Sequence, residues 1–343
     1  LHRAAGDCCV GIGGQEDTCG LRSTDGHALR RSTAPTCRPF VLWHTADMSF
    51  WPFTRDDRAE ARIARPGDRA ALTSLLARTW RRHGSAALED QAELLLNGIS
   101  TILPVRDEVE GFLGLYLRVP AGDPPQVWVD VNLAAVEPNG RVDGALAPLV
   151  KAAMPGLRHA GATGIVCLAP PGWLQEGLAR AGFVEEDHVI TYAFADYLRL
   201  LPADQPAILR EAGSGDAQAV LQINALAFGP FWQYDDPVVM GWMLTADRGV
   251  VAVASEEIAG FAITTTGLAG GYAHLIRIAT HPRFRGRGIG RQLVVDAVSF
   301  ARGAGAPGLA LNTQASNRVS RSLYESLGFR PTGHTLAVMV HRL

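Results

Sequence analysis

The residues with the most chemistry to offer lie in HPRFRGRGIGRQLVVDAVSFARG, residues 281–303. An apolar run ends at Pro282, a loop carries Arg283, Arg285, Gly286, Arg287, Gly288 and Gly290, and a helical pattern follows. Glycines let the backbone approach a ligand closely, and unpaired N–H groups at a helix start attract anions. Arginines on the same loop add charge-assisted contacts. The segment therefore reads as a phosphate cradle.

Elimination narrows the ligand. A Walker loop needs Gly-Lys-Ser/Thr, and Lys151 is the only lysine. A dinucleotide fingerprint needs glycine where Arg291 stands and an acid at the end of the next strand, yet GLALNTQ has none. The nucleophile elbow G-x-S-x-G is absent as well.

Such a cradle needs a buried strand before it and a helix behind it. Apolar periodicity and breakers predict strand 206–212, helices 216–228 and 237–245, and strands 249–255, 259–266 and 272–280. Helix 288–303, strand 308–313, helix 317–327 and strand 334–341 follow. Strict alternation along 272–280 puts residues 274, 276 and 278 on one face, opposite Arg277. The first half repeats this order, with strands around 109–118, 126–135 and 164–168. Gly67 matches Gly215, Pro138 matches Pro282 and Phe183 matches Phe329, at offsets of 148, 144 and 146. Asp68 and Asp216 read as caps of the first helix in each copy. Near-constant spacing is what a duplicated α/β domain gives, with the seam at LPADQP, residues 201–206.

Arg285, Gly288 and Gly290 fit the pattern Arg/Gln-x-x-Gly-x-Gly/Ala, and N-x-x-S-x-x-LYESLGF runs from Asn317 to Phe329. With both motifs the chain resembles the GNAT superfamily of acyl-CoA N-acyltransferases, clearly over 205–343 and more weakly, through the repeat, over 55–200. The resemblance implies two tandem GNAT-like α/β domains. Each would be a mixed, mostly antiparallel sheet flanked by helices, with a splayed pair of parallel strands, here 272–280 and 308–313. It implies acetyl-CoA as cosubstrate and no metal. The contacts would come from Ile278, Thr280, Arg285, Gly286, Arg287, Gly288, Ile289, Gly290, Arg291 and Asn317. Asn317 reads equally well as a helix N-cap.

The resemblance further implies N-acetyl transfer to a primary amine by direct attack in a ternary complex, which calls for a base and an acid. Tyr324 matches the tyrosine with which many members protonate the departing sulfur. His274, eleven residues before Arg285, stands where histone-type members carry a glutamate base. An imidazole titrating at about 6.5 suits that role. Asn312 replaces the glutamate of protein N-terminal acetyltransferases and argues against that subclass. The acceptor, a small-molecule or peptide amine, is expected at FGPFWQYDDPVVMGWM, lined by Phe231, Trp232, Tyr234 and Trp242, with Asp235 attracting a cation. Asp236 before Pro237 reads as a helix cap. Two other readings stay open. One is a reaction like that of mycothiol synthase, whose two-domain organisation is similar. The other is a CoA-binding sensor or interaction module without turnover.

In the first copy, Arg141, Gly144 and Leu146 replace the three loop residues, Val142 and Asp143 lie between them, and Leu178 replaces the tyrosine. This copy is expected to be a degenerate, silent partner.

Length and composition agree. With 343 residues, 47% hydrophobic and 19% charged, two globular domains are expected. A net charge of -2 offers no field for nucleic acid. No run reaches the roughly 18 apolar residues of a membrane helix, so the expected location is the cytoplasm. Cys8, Cys9, Cys19 and Cys37 precede residue 40 without paired knuckles, and Met48 opens an ordinary domain start. The expected division is a disordered or non-native extension over 1–47, a degenerate domain over 48–200 and a catalytic domain over 205–343.

Overall fold

The computed structural model describes residues 60–343 apart from 85–93, 96, 106–107, 120–125, 138–141, 200–203 and 268–270. The four early cysteines, Met48, Pro138, Arg141, the start of LPADQP and the side chains of Val142 and Asp143 lie outside the described residues.

The first half supplies β1 (Arg62–Ile63), β2 (Arg82–His83), β3 (Thr101–Val105), β4 (Glu108–Arg118), β5 (Val127–Val136), β6 (Ala162–Ala169) and β7 (Val184–Phe194). Its helices are α1 (Arg69–Arg78), α2 (Val142–His159) and α3 (Trp173–Arg180). The second half supplies β8 (Ile208–Glu211), β9 (Arg248–Ala254), β10 (Glu257–Thr265), β11 (Ala273–Thr280), β12 (Leu309–Gln314) and β13 (Arg330–Arg342). Its helices are α4 (Ala217–Ala227), α5 (Asp236–Thr245), α6 (Ile289–Gly303) and α7 (Arg318–Ser326).

All these strands join one sheet, ordered β1-β3-β4-β5-β6-β13-β7-β12-β11-β10-β9-β8, with β2 on β5. The parallel pairs are β5 with β6 and β11 with β12. The halves trade their last strands. β13, from the second half, lies between β6 and β7 of the first, while β7 pairs with β12 of the second. Each copy thus completes its neighbour's sheet.

Alternating side chains sort the helices onto two faces. On one face, Leu146, Leu149 and Leu178 of α2 and α3 pack on Ile165, Cys167 and Met339. On the same face, Ile289, Leu293 and Tyr324 pack on Leu309, Leu311 and Tyr192. The opposite face carries α1, through Leu72 and Leu75, and α4 and α5, through Val220, Ile223, Val239 and Trp242. Between those groups the sheet presents Trp128, Val166, Val189 and Val338 to the aromatic pair Phe231 and Trp232. Fully burying such a side chain contributes about 1.5–3 kcal/mol.

The duplication is visible in an ion pair. Asp68 accepts from Arg62 Nη1 and Nη2 at 2.8 and 2.7 Å, and Asp216 accepts from Arg210 at 2.6 and 2.7 Å. Neither aspartate caps its helix through a side-chain hydrogen bond. Each instead accepts the N–H three residues earlier, from Arg65 or Gly213, and so closes a 3₁₀ turn. The adjacent arginines hold both carboxyls below the usual carboxylate range.

Candidate active site

β11 and β12 share backbone pairing only from Ala273↔Leu309 to Leu275↔Leu311. Beyond that their pairing ends and the strands part. The first copy has the same arrangement, with pairing from Val127↔Ala162 to Asp130↔Val166. There, however, Val136, Leu146, Ala169, Leu174 and Leu178 are wholly buried in one apolar cluster.

The loop after β11 turns through Pro282–Phe284, a 3₁₀ turn capped by His281, whose Nδ1 accepts from Arg283 N at 3.2 Å. Gly286 and Gly288 hold φ of +76° and +85°, the left-handed region that glycine enters without strain. Gly288 is the residue before α6, so the N–H groups of the first turn, which have no intrahelical acceptors, open onto the loop. A Cβ on Gly286 would meet nothing within 4 Å, which leaves its backbone open to a ligand. Arg285 and Arg287 are exposed, whereas Ile289 is core and has only its N–H to offer. Arg283 pairs with Glu257 at 3.4 Å, and Arg291 donates to Ser326 Oγ at 3.3 Å. Thr280 and Ile278 are half-buried at the strand end. Asn317 Oδ1 accepts from Ser320 N at 3.2 Å, so this residue caps α7. These groups fit an anionic diphosphate: open backbone donors, a helix start, and cations at the rim.

Tyr324 and His274 lie on opposite faces. Tyr324, on α7, is buried beside Tyr192 and Phe329 at ring distances of 6.3 and 5.9 Å. Burial pushes its phenol up to about 12, with Ser320 pulling weakly the other way. His274 borders a cleft of about 240 Å³ on the α4–α5 face. Burial pushes its imidazole down to about 4, well below the value expected from sequence. It is neutral at physiological pH.

The strand does not alternate as expected. Leu275 pairs with Thr264 and Arg277 with Ile263, leaving Ile276 as an extra residue, a β-bulge. One inserted residue reverses the phase, so His274, Ile276 and Arg277 all border the cleft while Ile278 packs toward α6.

Three expected acceptor residues border that cleft: Trp232, Tyr234 and Trp242. Phe231 lies beside it, edge-on to Trp232 at 4.9 Å and to Trp128 at 4.7 Å, and lines a neighbouring cleft of about 400 Å³ that Trp232 also borders. Asp235 is not at either border. It is the N-cap residue of α5, one position earlier than expected, and its Oδ2 accepts from Tyr116 at 2.9 Å. Asp236 is instead the first residue of the helix.

The first half holds the loop that carries Phe231 to Asp235. Arg118 donates from Nη1 to Phe231 O at 3.0 Å and to Gln233 O, while Arg277 Nη2 donates to Trp232 O at 2.9 Å. Their guanidiniums lie 5.2 and 5.3 Å from the Tyr234 ring centroid. Sequence reasoning missed Arg118, Tyr116 and Tyr192, which reach the second half across more than a hundred residues, and it placed Arg277 on the wrong face.

Among known proteins, residues 217–329 match the model of the Acetyltransferase (GNAT) family. The mycothiol acetyltransferase of Streptomyces avermitilis is 26% identical over 310 residues, spanning 83% of this chain and 96% of that protein. The crystal structure of a GCN5-related N-acetyltransferase from Sphaerobacter thermophilus superposes with a TM-score of 0.57 at 18% identity, covering 84% of this chain and 96% of that one. A tandem GNAT protein from the clavulanic acid biosynthesis pathway superposes with a TM-score of 0.56 at 14% identity, covering 82% and 98%. No described helix is long and apolar enough to cross a membrane. The loop, the splayed strands and the family match over α4 to α7 converge on one region: residues 217–329 match the acetyltransferase (GNAT) family, and the fold is that of tandem GNAT proteins.

Proposed function

We propose that the protein is an N-acetyltransferase that uses acetyl-CoA and a primary amine in a ternary complex, with residues 205–343 as the catalytic part and 48–200 as a degenerate, supporting copy. The observation that carries this reading is the open glycine loop at the start of α6, next to the gap between β11 and β12. Its backbone N–H groups, with Arg285 and Arg287, are suited to hold the diphosphate of the cosubstrate, and the gap to hold its arm.

When bound, acetyl-CoA supplies an activated acetyl thioester. Tyr324, with a phenol that stays protonated to about 12, donates a proton toward sulfur through the gap. His274, neutral above about 4, accepts a proton from the amine side, by way of water. At that pKa it is too weak a base to take a proton from an ammonium near 10, so the amine must arrive deprotonated or lose its proton to solvent first. Trp232, Tyr234 and Trp242 shape the space and exclude water.

A second reading, acetyl transfer of the mycothiol acetyltransferase type, is favoured by the similarity to that enzyme over nearly its whole length. The test is thiol release from acetyl-CoA across a panel of amines, beside calorimetry with acetyl-CoA alone. Binding without turnover for any amine would leave a CoA-binding module instead.

A further inference from the structure

The two guanidiniums that flank Tyr234 handle their charge differently. Arg118 is neutralised, donating from Nε and Nη2 to Asp130 at 3.0 and 3.1 Å. Arg277, only 9% exposed, donates to neutral oxygens alone: Asn224 Oδ1 at 3.1 and 2.8 Å, and Trp232 O at 2.9 Å. Its head lies 3.4 Å from the Phe228 ring centroid. No carboxylate among the described residues pairs with it, and its Nη1 makes no hydrogen bond among them. Those neutral partners fix its orientation without cancelling its charge.

Burying an ion without a counter-ion is costly, and a purely structural clamp on Trp232 O would work as well with a neutral amide donor. The setting gives the charge a use. Arg277 borders the cleft on the same strand as His274, and with Ile276 bulged out their β10 partners, Ile263 and Thr265, are only two residues apart, about 7 Å of strand. No described acid borders that cleft; Asn312, Thr313 and Gln314 on β12 are uncharged. A cleft with one fixed cation and no anion selects a ligand with the opposite sign, and a planar guanidinium with a spare N–H is matched to a carboxylate.

We propose that the acceptor carries a carboxylate that docks on Arg277 while its amine faces His274, which makes it an amino acid or a peptide with a free acid group. The proposal rests on the amine acetyltransferase reading above. It replaces the sequence expectation that Asp235 would draw in a plain cationic amine.

The experiment compares kcat/KM on the intact protein, at saturating acetyl-CoA, for amino acids and dipeptides as free acids and as their C-terminal amides. The acids are expected to be preferred by about tenfold or more, roughly 1.4 kcal/mol. In Arg277→Gln the acid-to-amide ratio falls to near one, whatever absolute rate remains. Should that variant fail to fold, N-acetylated amino acids and their amides, tested as inhibitors of the unaltered protein, report the same ratio. Amides used as well as acids, or better, overturn the carboxylate proposal and leave acetyl transfer standing. If no acceptor of any kind is acetylated, the acetyltransferase reading falls and takes this one with it.

Discussion

Tyr192 of β7 and Tyr324 of α7, one from each half of the chain, face each other with ring centroids 6.3 Å apart. Their hydroxyls are engaged differently. Tyr192 donates to Glu325 Oε1 at 2.7 Å and accepts from Arg321 Nε at 3.3 Å, whereas the phenol of Tyr324 has Ser320 as its polar neighbour. The first tyrosine is tied to two charged side chains of α7, and the second is the one proposed above as proton donor.

Tyr324→Phe keeps the packing and removes the proton. It is expected to lower kcat by about a hundredfold or more with acetyl-CoA affinity unchanged, while Tyr192→Phe changes kcat by less than about tenfold. Steady-state kinetics and calorimetry on both variants check this; equal effects would assign Tyr324 to packing.

Because His274 is held near 4, no inflection from it falls between pH 6 and 9. The rate is expected to rise with pH toward the pKa of whichever amine is used, and the midpoint should move when the amine is changed. A fixed midpoint near 6.5 with every amine would contradict a buried, neutral imidazole.

His83 and His274 also set the acid stability. Both are pushed down to about 4 by burial, below the roughly 6.5 of an unfolded chain. Between those values the unfolded state binds more protons, so stability is highest above about 6.5 and falls as pH drops toward 4. Tm measured from pH 7 to 4.5 should decline, and His274→Gln should flatten the decline.

Gly288→Ala forces a side chain into a backbone with φ of +85°. The space is adequate, since the added Cβ would meet only Pro206 Cγ at 3.7 Å. The expected cost is therefore conformational, about 1–2 kcal/mol, together with weaker acetyl-CoA binding as the start of α6 shifts. Thermal denaturation and calorimetry separate the two effects.

Arg118→Ala strands Asp130 and frees the carbonyls of Phe231 and Gln233. A loss of about 3–5 kcal/mol is expected from breaking a buried pair. In protein that remains folded, KM for the amine should rise while KM for acetyl-CoA holds. A change confined to acetyl-CoA would show that the first half does not act on the amine through residues 231–233.

Much of this was legible in the sequence because it is local. The predicted helices 288–303 and 317–327 appear as α6 and α7 within a residue or so, since glycines and an asparagine mark their ends. The duplicated landmarks and the apolar strand runs were equally plain. What escaped depends on partners distant in the chain. The bulge at Ile276 exists only relative to β10, and an apolar strand such as β13 reads the same whichever neighbour it chooses. The one-residue shift of the α5 cap from Asp236 to Asp235 reflects two adjacent aspartates that both suit the position.

The traded strands β7 and β13 bind the fate of the two copies together. A gene truncated to the second half would leave β12 with an open edge and β13 without the β6 and β7 partners between which it lies. Shared strands, rather than a shared reaction, are thus what the structure offers as the reason the two halves stay in one polypeptide.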